Sequence, residues 1–259
     1  MTNSLVTGAG HRLGRAMALY LASRGYGVAI HYSNSEDAAL AVVAEIKDLG
    51  QNAIAVQADF LIEADVHSLV ARAEEQLGGP ILCLVNNAST FEYDTIETAS
   101  RDTWDHNMGS NLRAPFILTQ AFAAQNLPVK FDSEGEPISV GLIVNMVDQR
   151  VRKLTPDYMT YTLAKMGLWA LTQTTARALA PNIRVNAIGP GPTLQNIRQS
   201  DESFAKQRSA TVLKRGANVS DITAALGYFI DSPSVTGQLL CIDGGQHLAW
   251  ETPDVVGGE

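Results

Sequence analysis

Two residues with complementary chemistry, Tyr161 and Lys165, lie four positions apart in the segment YMTYTLAKMGLWALT. On a helix, side chains with this spacing lie on one face about a turn apart. An ammonium group held there favours the ionised form of a phenol, so Lys165 is expected to lower the pKa of Tyr161. The spacing predicts a proton-donating pair, although the same pattern also occurs by chance on helices without a catalytic role.

Composition limits the classes of partner. The 259 residues, 46% of them apolar, can form a large core in a single α/β domain. Nineteen basic and 27 acidic residues give a net charge of −8 without a basic stripe, which argues against nucleic acid or an anionic membrane as a partner and favours a small molecule. We expect no signal peptide, because a strand begins by residue 4, and no membrane span.

The cysteines and histidines indicate neither disulfides nor a metal site. Cys83 and Cys241 each lie in a predicted buried strand and are expected to be core thiols in a reducing compartment, so a cytoplasmic protein is predicted. The five histidines, at positions 11, 31, 67, 106 and 247, lack the spacing of metal ligands.

A glycine-rich turn follows the first predicted strand. SLVTG has the pattern of a short strand, and TGAGHRLG leads directly into the helical segment RLGRAMALYLASRG. Gly8 and Gly10 would let the backbone approach a pyrophosphate at the helix N-terminus, and Gly14 would let the helix pack closely on the strand. A plain turn is the alternative, but the position in the first strand–helix unit favours a dinucleotide cofactor.

The end of the second predicted strand, YGVAIHY, bears on the choice of cofactor. An acidic side chain there would bind the ribose hydroxyls of NAD, but the first acid is Glu36. Together with Arg12 in the glycine-rich turn, the residues at this strand end suit the additional phosphate of NADP. The serines among them could equally cap the next helix. These residues are Tyr32, Ser33, Asn34 and Ser35.

Strands and helices continue to alternate along the chain. Helices near 36–49 and 63–77 and the strands NAIAVQ and ILCLVNN predict a Rossmann-type, doubly wound parallel sheet of about seven strands, with helices on both faces. Ligands bind such sheets at the carboxyl ends of the strands. The residues predicted at those ends are Asp59 and Phe60 after the third strand, Asn86, Asn87, Ala88, Ser89 and Phe91 after the fourth, and Asp148 after the fifth.

Two of these residues allow more than one interpretation. Asp59 could accept a hydrogen bond from an adenine amine or could cap the next helix. The ring of Phe91 could stack on a flat substrate or could pack beneath its own loop.

The remaining segments complete the predicted domain. A long helix at 100–126 precedes a polar insertion near 126–140, which we expect to be a surface loop without a chemical role at the edge opposite the site. After the strand NIRVNAI, the rigid turn GPGPT could hold a nicotinamide. The polar segment 194–216 has the pattern of a substrate lid. A helix at 220–231 and the strand QLLCID follow.

The ordered motifs cover essentially the whole chain. TGAGHRLG, NNA after the fourth strand, Asn111 in NLRAPF, Tyr161 with Lys165, and Pro190 with Gly191 together resemble the short-chain dehydrogenase/reductase family. The resemblance implies one domain over residues 1–259 and a nicotinamide cofactor. It also implies that Tyr161 donates a proton, that Lys165 holds the nicotinamide ribose and tunes Tyr161, and that Asn111 holds a water in a proton relay.

The expected cofactor contacts combine these motifs with the strand ends. They are Gly8, Gly10, Arg12, Leu13, Gly14, Tyr32, Ser33, Asn34, Ser35, Asp59, Phe60, Asn87, Ala88, Ser89, Tyr161, Lys165, Pro190, Gly191 and Thr193.

Two departures from the family pattern narrow the resemblance. Arg12 stands where the family usually has glycine, and Asp148 stands where it usually has the catalytic serine. Both are similar to pteridine reductases, as is NNASTF, whose Ser89 and Phe91 match residues that line the pterin pocket in that subgroup. The resemblance implies NADPH-dependent reduction of dihydromonapterin, dihydrofolate or dihydrobiopterin. After the second strand that subgroup carries His and Arg to bind the 2′-phosphate, where this chain has Ser33 and Asn34.

The chemistry of a carboxylate at position 148 agrees with a pterin. It would repel the charge that develops on a ketone oxygen, but it can accept from the amino and ring N–H groups of a pterin. It would also raise the pKa of Tyr161 against the effect of Lys165 and so keep the phenol protonated. The alternatives are a carbonyl or sugar dehydrogenase of the same fold and a nucleotide-binding regulator without turnover.

The helix that carries Tyr161 also predicts an oligomer. Between residues 154 and 176 the only charged residues are Asp157 and Lys165, so nearly every face of the helix is apolar or small. Gly167 and Ala170 would permit close approach of another element. We expect a partner subunit to cover this helix, and the family resemblance implies a homotetramer.

Overall fold

The computed structural model of the chain describes residues 2–195 and 199–250. Seven parallel strands form one sheet in the order β3-β2-β1-β4-β7-β8-β9, which confirms the predicted Rossmann-type fold. The strands are β1 (Thr2–Val6), β2 (Tyr26–Tyr32), β3 (Ala53–Gln57), β4 (Ile81–Asn86), β7 (Gly141–Met146), β8 (Ile183–Pro190) and β9 (Leu239–Ile242).

Helices cover both faces of this sheet. One core layer joins it to α1, α2 and α8, and the other joins it to α3, α5 and the end of α6. Side chains alternate between the layers along each strand, so that Leu5 enters one core and Val6 the other. The helices are α1 (Arg12–Ser23), α2 (Glu36–Asp48), α3 (Glu63–Leu77), α4 (Arg101–Met108), α5 (Ala114–Ala123), α6 (Met159–Ala178), α7 (Asp201–Ser209) and α8 (Val219–Asp231).

The strand order reverses at β1, which pairs with β2 on one side and with β4 on the other. Chain segments therefore leave the carboxyl ends of β1 and β4 in opposite directions and open a crevice there. This is the position at which open α/β sheets bind their ligands.

The predicted long helix at 100–126 contains an irregular turn. Helices α4 and α5 are joined without a break by a π-helical turn, Gly109–Arg113. Pro115 has no N–H to donate to the carbonyl four residues earlier, which belongs to Asn111, so a regular α-helical ladder cannot continue there. The irregular turn carries Asn111 itself.

The insertion near 126–140 is more ordered than predicted. It contains an antiparallel hairpin, β5 (Lys130–Phe131) and β6 (Pro137–Ile138), where a surface loop was expected. The hairpin forms because Oδ1 of Asp132 accepts from the backbone N–H groups of Glu134 and Glu136 and closes the turn. It directly precedes β7 and therefore lies at the amino ends of the strands, away from the crevice.

Two further predictions need correction or extension. Cys241 is only half-buried, because β9 is the edge strand of the sheet, whereas Cys83 is fully buried as predicted. The predicted lid segment contains α7, whose first turn is capped by the side chain of Ser200. Residues 196–198 of that segment lie outside the described residues.

Candidate active site

A cavity of about 650 Å³ occupies the crevice at the carboxyl ends of the strands. The loops after β1, β4, β7 and β8 converge on it, as the strand order requires. The predicted site residues that line it are Gly8, Arg12, Leu13, Gly14, Ser33, Asn87, Ala88, Ser89, Phe91, Asp148, Tyr161, Lys165, Pro190, Gly191 and Thr193. The residues that sequence reasoning missed include His11, His31, Met146, Gln149, Arg150, Leu194, Phe204, Gln207 and Gln246.

Other predicted cofactor residues lie outside this lining. They are Gly10, Tyr32, Asn34, Ser35, Asp59 and Phe60. Asp59 uses Oδ1 to accept from the N–H of Leu61 at 2.9 Å in a turn before α3, whose N-cap is Ile62, so Asp59 does not cap this helix and adenine binding stays a prediction. Ser35 makes no side-chain cap to α2, so the capping alternative is wrong for that serine.

The glycine-rich turn and the start of α1 form a compact unit. A Cβ atom on Gly14 would lie 2.2 Å from the carbonyl oxygen of Gly8, so only glycine permits this packing. His11 precedes the helix without a side-chain cap, which leaves the first N–H groups of α1 open to the cavity. A helix N-terminus with uncapped N–H groups is a favourable site for a phosphate.

Arg12 stands in this turn with φ +50°, in the left-handed region that favours glycine. Its guanidinium donates to the carbonyl oxygens of Leu194 and Gln195 at 3.0 and 2.8 Å. The side chain therefore joins the glycine-rich turn to the segment after β8. Binding of Arg12 to a cofactor phosphate remains a prediction, and these two carbonyls would compete with the phosphate for the same donors.

His31, a residue of β2 that sequence reasoning missed, holds the glycine-rich turn in place. Its Nδ1 accepts from the N–H of Gly8 at 3.0 Å, which places the proton on Nε2, and Nε2 donates to the carbonyl of Ala58 at 3.1 Å. The ring stacks on Phe60 at 4.4 Å. Burial lowers the pKa of His31 to about 4, so the ring is neutral at physiological pH.

Tyr161, Asp148 and Lys165 meet at the base of the cavity. The Tyr161 hydroxyl donates to Oδ2 of Asp148 at 3.0 Å. Lys165 donates from Nζ to the carbonyl of Met146 at 2.9 Å, and Nζ lies 5.5 Å from the centre of the Tyr161 ring. Tyr161 and Lys165 are almost completely buried. The i, i+4 spacing on α6 therefore brings the predicted pair together at the carboxylate.

Burial controls the protonation of these groups. It raises the pKa of Tyr161 well above 10, and the charge and hydrogen bond of Asp148 raise it further. The expected lowering by Lys165 is wrong, because Nζ lies over the ring and binds a backbone carbonyl. Burial also raises the pKa of Asp148 and lowers that of Lys165 to about 8, the latter against the opposing charge of Asp148. The phenol is thus held as a proton donor, as the carboxylate argument predicted.

Asn111 uses its side chain to hold the loop after β4. Its Oδ1 accepts from the N–H of Thr90 at 3.0 Å, and its Nδ2 donates to the Thr90 carbonyl at 3.1 Å. The amide is buried beneath the loop and does not line the cavity. The side chain therefore positions Ser89 and Phe91, while the predicted water relay at Asn111 remains a prediction.

Phe91, Tyr158 and Tyr161 form an aromatic wall beside the cavity. The Phe91 ring stacks on that of Tyr158 at 4.2 Å and 10°, and its edge meets the ring of Tyr161 at 4.7 Å and 83°. Tyr158 precedes α6 with φ +58°, in the left-handed region. Packing within the protein thus occupies one face of Phe91, and the side chain is still 38% exposed.

Asp94, a buried carboxylate that sequence reasoning missed, fixes the start of α6. Its Oδ1 accepts from the N–H of Thr160 at 3.2 Å, and its Oδ2 accepts from the Thr160 hydroxyl. Asn107 of α4 donates to the same hydroxyl at 2.8 Å. The residue before Tyr161 is therefore joined both to the loop after β4 and to the helix before the π turn.

Within residues 2–195 and 199–250, no group of three or more His, Cys, Asp and Glu side chains has the arrangement of a metal site. No helix in the same part of the chain has the length and hydropathy needed to span a membrane.

Comparisons with known proteins agree with this geometry. A family profile described as Enoyl-(Acyl carrier protein) reductase matches residues 8–247. The solved structure of FolM Alternative dihydrofolate reductase 1 from Brucella suis, in complex with NADP, is 45% identical with a TM-score of 0.89, and 98% of each chain is covered. The Brucella canis protein, complexed with NADP, is 44% identical with a TM-score of 0.87, covering 98% of this chain and 97% of its own.

Curated relatives at lower identity have other activities. The 3-oxoacyl-(acyl-carrier-protein) reductase FabG of Staphylococcus epidermidis is 31% identical over 251 residues, which are 95% of this chain and 99% of that protein. The L-rhamnose 1-dehydrogenase (NAD(P)(+)) of a Sphingomonas species is 32% identical over 252 residues, covering 94% of this chain and 95% of its own.

Proposed function

The chain belongs to the short-chain dehydrogenase/reductase family, and we propose that it is an NADPH-dependent reductase of dihydropterins. Dihydrofolate, dihydromonapterin and dihydrobiopterin are the candidate substrates, each reduced to its tetrahydro form. The two FolM structures, at 44–45% identity, support this substrate class more strongly than the relatives at 31–32% support another.

The hydrogen bond between Tyr161 and Asp148 carries the proposal. A carboxylate at this position keeps the phenol protonated, because its charge and hydrogen bond add to the effect of burial on the pKa of Tyr161. A ketone oxygen would gain negative charge beside the same carboxylate, which is unfavourable. A C=N bond instead needs a proton on nitrogen as its carbon receives hydride, and the donors on the pterin ring can bind Asp148.

The cavity suits NADPH, which would supply hydride when it is bound. The open N–H groups at the start of α1 and the close packing of Gly8 with Gly14 fit a pyrophosphate. Ser33 lies in the lining just after β2, and the described lining residues include no acid on this side of the cavity to repel a 2′-phosphate. The remaining contacts are proposed for Asn87, Ala88, Tyr161, Lys165, Pro190, Gly191 and Thr193.

Tyr161 is the proposed acid of the reaction. It gives its proton to the ring nitrogen next to the carbon that accepts hydride, either directly or through a water, and the C=N bond becomes a CH–NH bond. The proton returns to the phenolate along a proposed path that includes Lys165 and Asn111. Before the proton is transferred, Asp148 orients the Tyr161 hydroxyl. During the transfer it orients the polar edge of the pterin.

The aromatic wall is the proposed substrate platform. One face of Phe91 is covered by Tyr158, and the exposed part of its side chain remains available to a flat ring. Ser89 lines the cavity in the same loop and can bond to the pterin edge.

The second candidate is a carbonyl or sugar dehydrogenase. It is favoured by the FabG and L-rhamnose dehydrogenase relatives, which match nearly the whole chain. Asp148 argues against it, because ketone reduction in this family uses a neutral serine at that position.

NADPH oxidation measured with matched substrates tests the proposal. Dihydrofolate, dihydromonapterin and dihydrobiopterin are compared with an acetoacetyl thioester and a panel of aldoses, the last in the oxidative direction with NADP. We expect turnover of at least one dihydropterin and a kcat/KM at least tenfold higher than for any ketone or sugar. Turnover of the ketone or sugar alone would support the second candidate, and no turnover with any substrate would support a regulator.

A further inference from the structure

Arg150 lies at the outer end of the aromatic wall. Its guanidinium carbon is 4.9 Å from the centre of the Tyr158 ring. Phe91 covers one face of that ring in a nearly parallel stack at 4.2 Å, so Arg150 must lie over the other face. Phe91, Tyr158 and Arg150 therefore form three successive layers that begin at Tyr161, and both Phe91 and Arg150 line the cavity.

The Arg150 guanidinium keeps donors available. Stacking uses the flat face of the group, while its N–H bonds point outward in the plane. Nη1 donates to the hydroxyl of Thr155, and across the described part of the chain Arg150 forms no ion pair. The side chain is partly exposed, so an anion in the cavity can reach the remaining N–H groups.

The other charged groups of the cavity are already engaged. Arg12 donates to two backbone carbonyls, and Lys165 donates to that of Met146. Among the described lining residues Asp148 is the only carboxylate, and its two oxygens accept from Tyr161 and from the backbone N–H of Arg150. Arg150 is thus the cation best placed to bind a negative group that enters beside Phe91.

We propose that Arg150 binds a carboxylate on the tail of the substrate, which makes an acidic pterin such as dihydrofolate the preferred substrate. The inference rests on the proposed function. In dihydrofolate a benzoyl ring separates the pterin from the glutamate carboxylates, and this ring can follow the wall from Phe91 towards Arg150. A carboxylate bound in the guanidinium plane receives two parallel hydrogen bonds, which gives both affinity and orientation. The hydroxylated tails of dihydromonapterin and dihydrobiopterin are uncharged and make no such pair.

Steady-state kinetics of variants at this position test the inference. NADPH oxidation is measured with dihydrofolate and with dihydrobiopterin for the parent, Arg150→Gln and Arg150→Lys. Arg152→Gln is the matched control, because Arg152 is exposed, contacts Trp169 and does not line the cavity. For Arg150→Gln the KM for dihydrofolate should rise about tenfold to a hundredfold, while the KM for dihydrobiopterin changes less than about threefold. Arg150→Lys should give an intermediate KM for dihydrofolate, and Arg152→Gln should match the parent.

Activity on dihydrobiopterin also reports whether each variant is folded. Raising the salt concentration should weaken dihydrofolate binding to the parent and leave Arg150→Gln unaffected. An equal rise in KM for both substrates, an unchanged KM for dihydrofolate, or a raised KM for NADPH alone would overturn the role of Arg150 and leave the proposed function intact. Failure of the parent to reduce these two substrates and dihydromonapterin as well would overturn the proposed function together with this inference.

Discussion

The Tyr161 hydroxyl and Oδ2 of Asp148, thirteen residues apart in the chain, are joined by a hydrogen bond of 3.0 Å in a buried setting. The carboxylate belongs to the turn after β7 and the phenol to the third residue of α6, so the pair links two elements that close the base of the cavity. Burial raises the pKa of both groups, and Asp148 raises that of Tyr161 further, whereas the hydrogen bond from Tyr161 lowers the pKa of Asp148 against the effect of burial.

Replacement of Asp148 by serine should lower kcat for dihydropterin reduction by about tenfold or more, because the charge that holds the phenol protonated and oriented is lost. Weak activity on ketones should appear in the same variant. The measurement is NADPH oxidation with dihydrobiopterin and a ketone panel.

Tyr161→Phe is the matched comparison for that variant. It removes the acid itself and should reduce kcat by about a hundredfold to ten-thousandfold while NADPH binding is largely kept. If Asp148→Ser reduces dihydropterins as fast as the parent, the carboxylate has no role in the chemistry.

The decrease of kcat/KM at alkaline pH should follow the deprotonation of Lys165. Its pKa is about 8, so kcat/KM should be constant near neutrality and fall as the pH rises through about 8 and the ammonium is lost. The charge of Asp148 supports that ammonium, so Asp148→Asn should move the fall to lower pH. A profile that stays flat to pH 10 would show that the charge of Lys165 is not required.

Cofactor preference should depend on the end of β2. The parent should prefer NADPH over NADH by about tenfold or more, from charge-assisted contacts to the 2′-phosphate. Ser33→Asp should reverse the preference, because an acid there repels the phosphate and binds the ribose hydroxyls. Ser35→Asp is the control, since Ser35 is exposed outside the cavity lining at the start of α2. Unchanged KM values for both cofactors in Ser33→Asp would contradict the assigned position of the phosphate.

His31 should make the fold sensitive to mild acid. Its folded pKa of about 4 lies below the ordinary 6.5, so the unfolded chain binds more protons between these values and stability falls as the pH drops through this window. The expected loss between pH 7 and pH 5 is about 2 kcal/mol in the free energy of unfolding, measured by urea denaturation. His31→Gln keeps a neutral donor and acceptor and should show a flatter dependence; an equal slope in both proteins would assign the effect to other groups.

The exposed apolar side chains of α4 to α6 should be covered in a homotetramer. Trp104 and Phe116 lie on the first two helices, and Leu163 and Met166 lie one turn apart on α6, all of them at least one-third exposed. Gly167 permits the close approach of Leu112 of the same chain, and Ala170 is exposed. Light scattering at micromolar concentration should give four times the 27.8 kDa chain mass. Paired Leu163→Glu and Met166→Glu substitutions should reduce it, and a monomeric parent would refute the assembly.

The sequence could predict those structural features that depend on residues close together in the chain. The alternation of strands and helices, the turn at Gly8 and the shared face of Tyr161 and Lys165 each arise within a few positions of the chain. It could not predict the pairing of His31 with Gly8 or of Asp94 with Thr160, which are 23 and 66 residues apart. Such contacts depend on how the elements pack in three dimensions.

Burial explains a further difference between the predictions from the sequence and the structure. The spacing of Tyr161 and Lys165 suggested an acidic phenol, but desolvation and the nearby carboxylate reverse the direction of the pKa change. The π-helical turn was missed because its cause, a proline four residues after Asn111, is also compatible with a simple helix break. The position of Arg150 over Tyr158 depends on a left-handed residue that nothing in the local sequence requires.

The two left-handed residues on either side of the cavity, Arg12 and Tyr158, imply a stability–activity trade-off. For a residue with a side chain this conformation costs about 1–2 kcal/mol, and glycine at either position would recover part of it. Glycine would also remove the guanidinium that joins the glycine-rich turn to the segment after β8, or the ring that separates Phe91 from Arg150. Selection for thermal stability alone would therefore favour glycine at both positions, at the expense of the contacts that Arg12 and Tyr158 make beside the cavity.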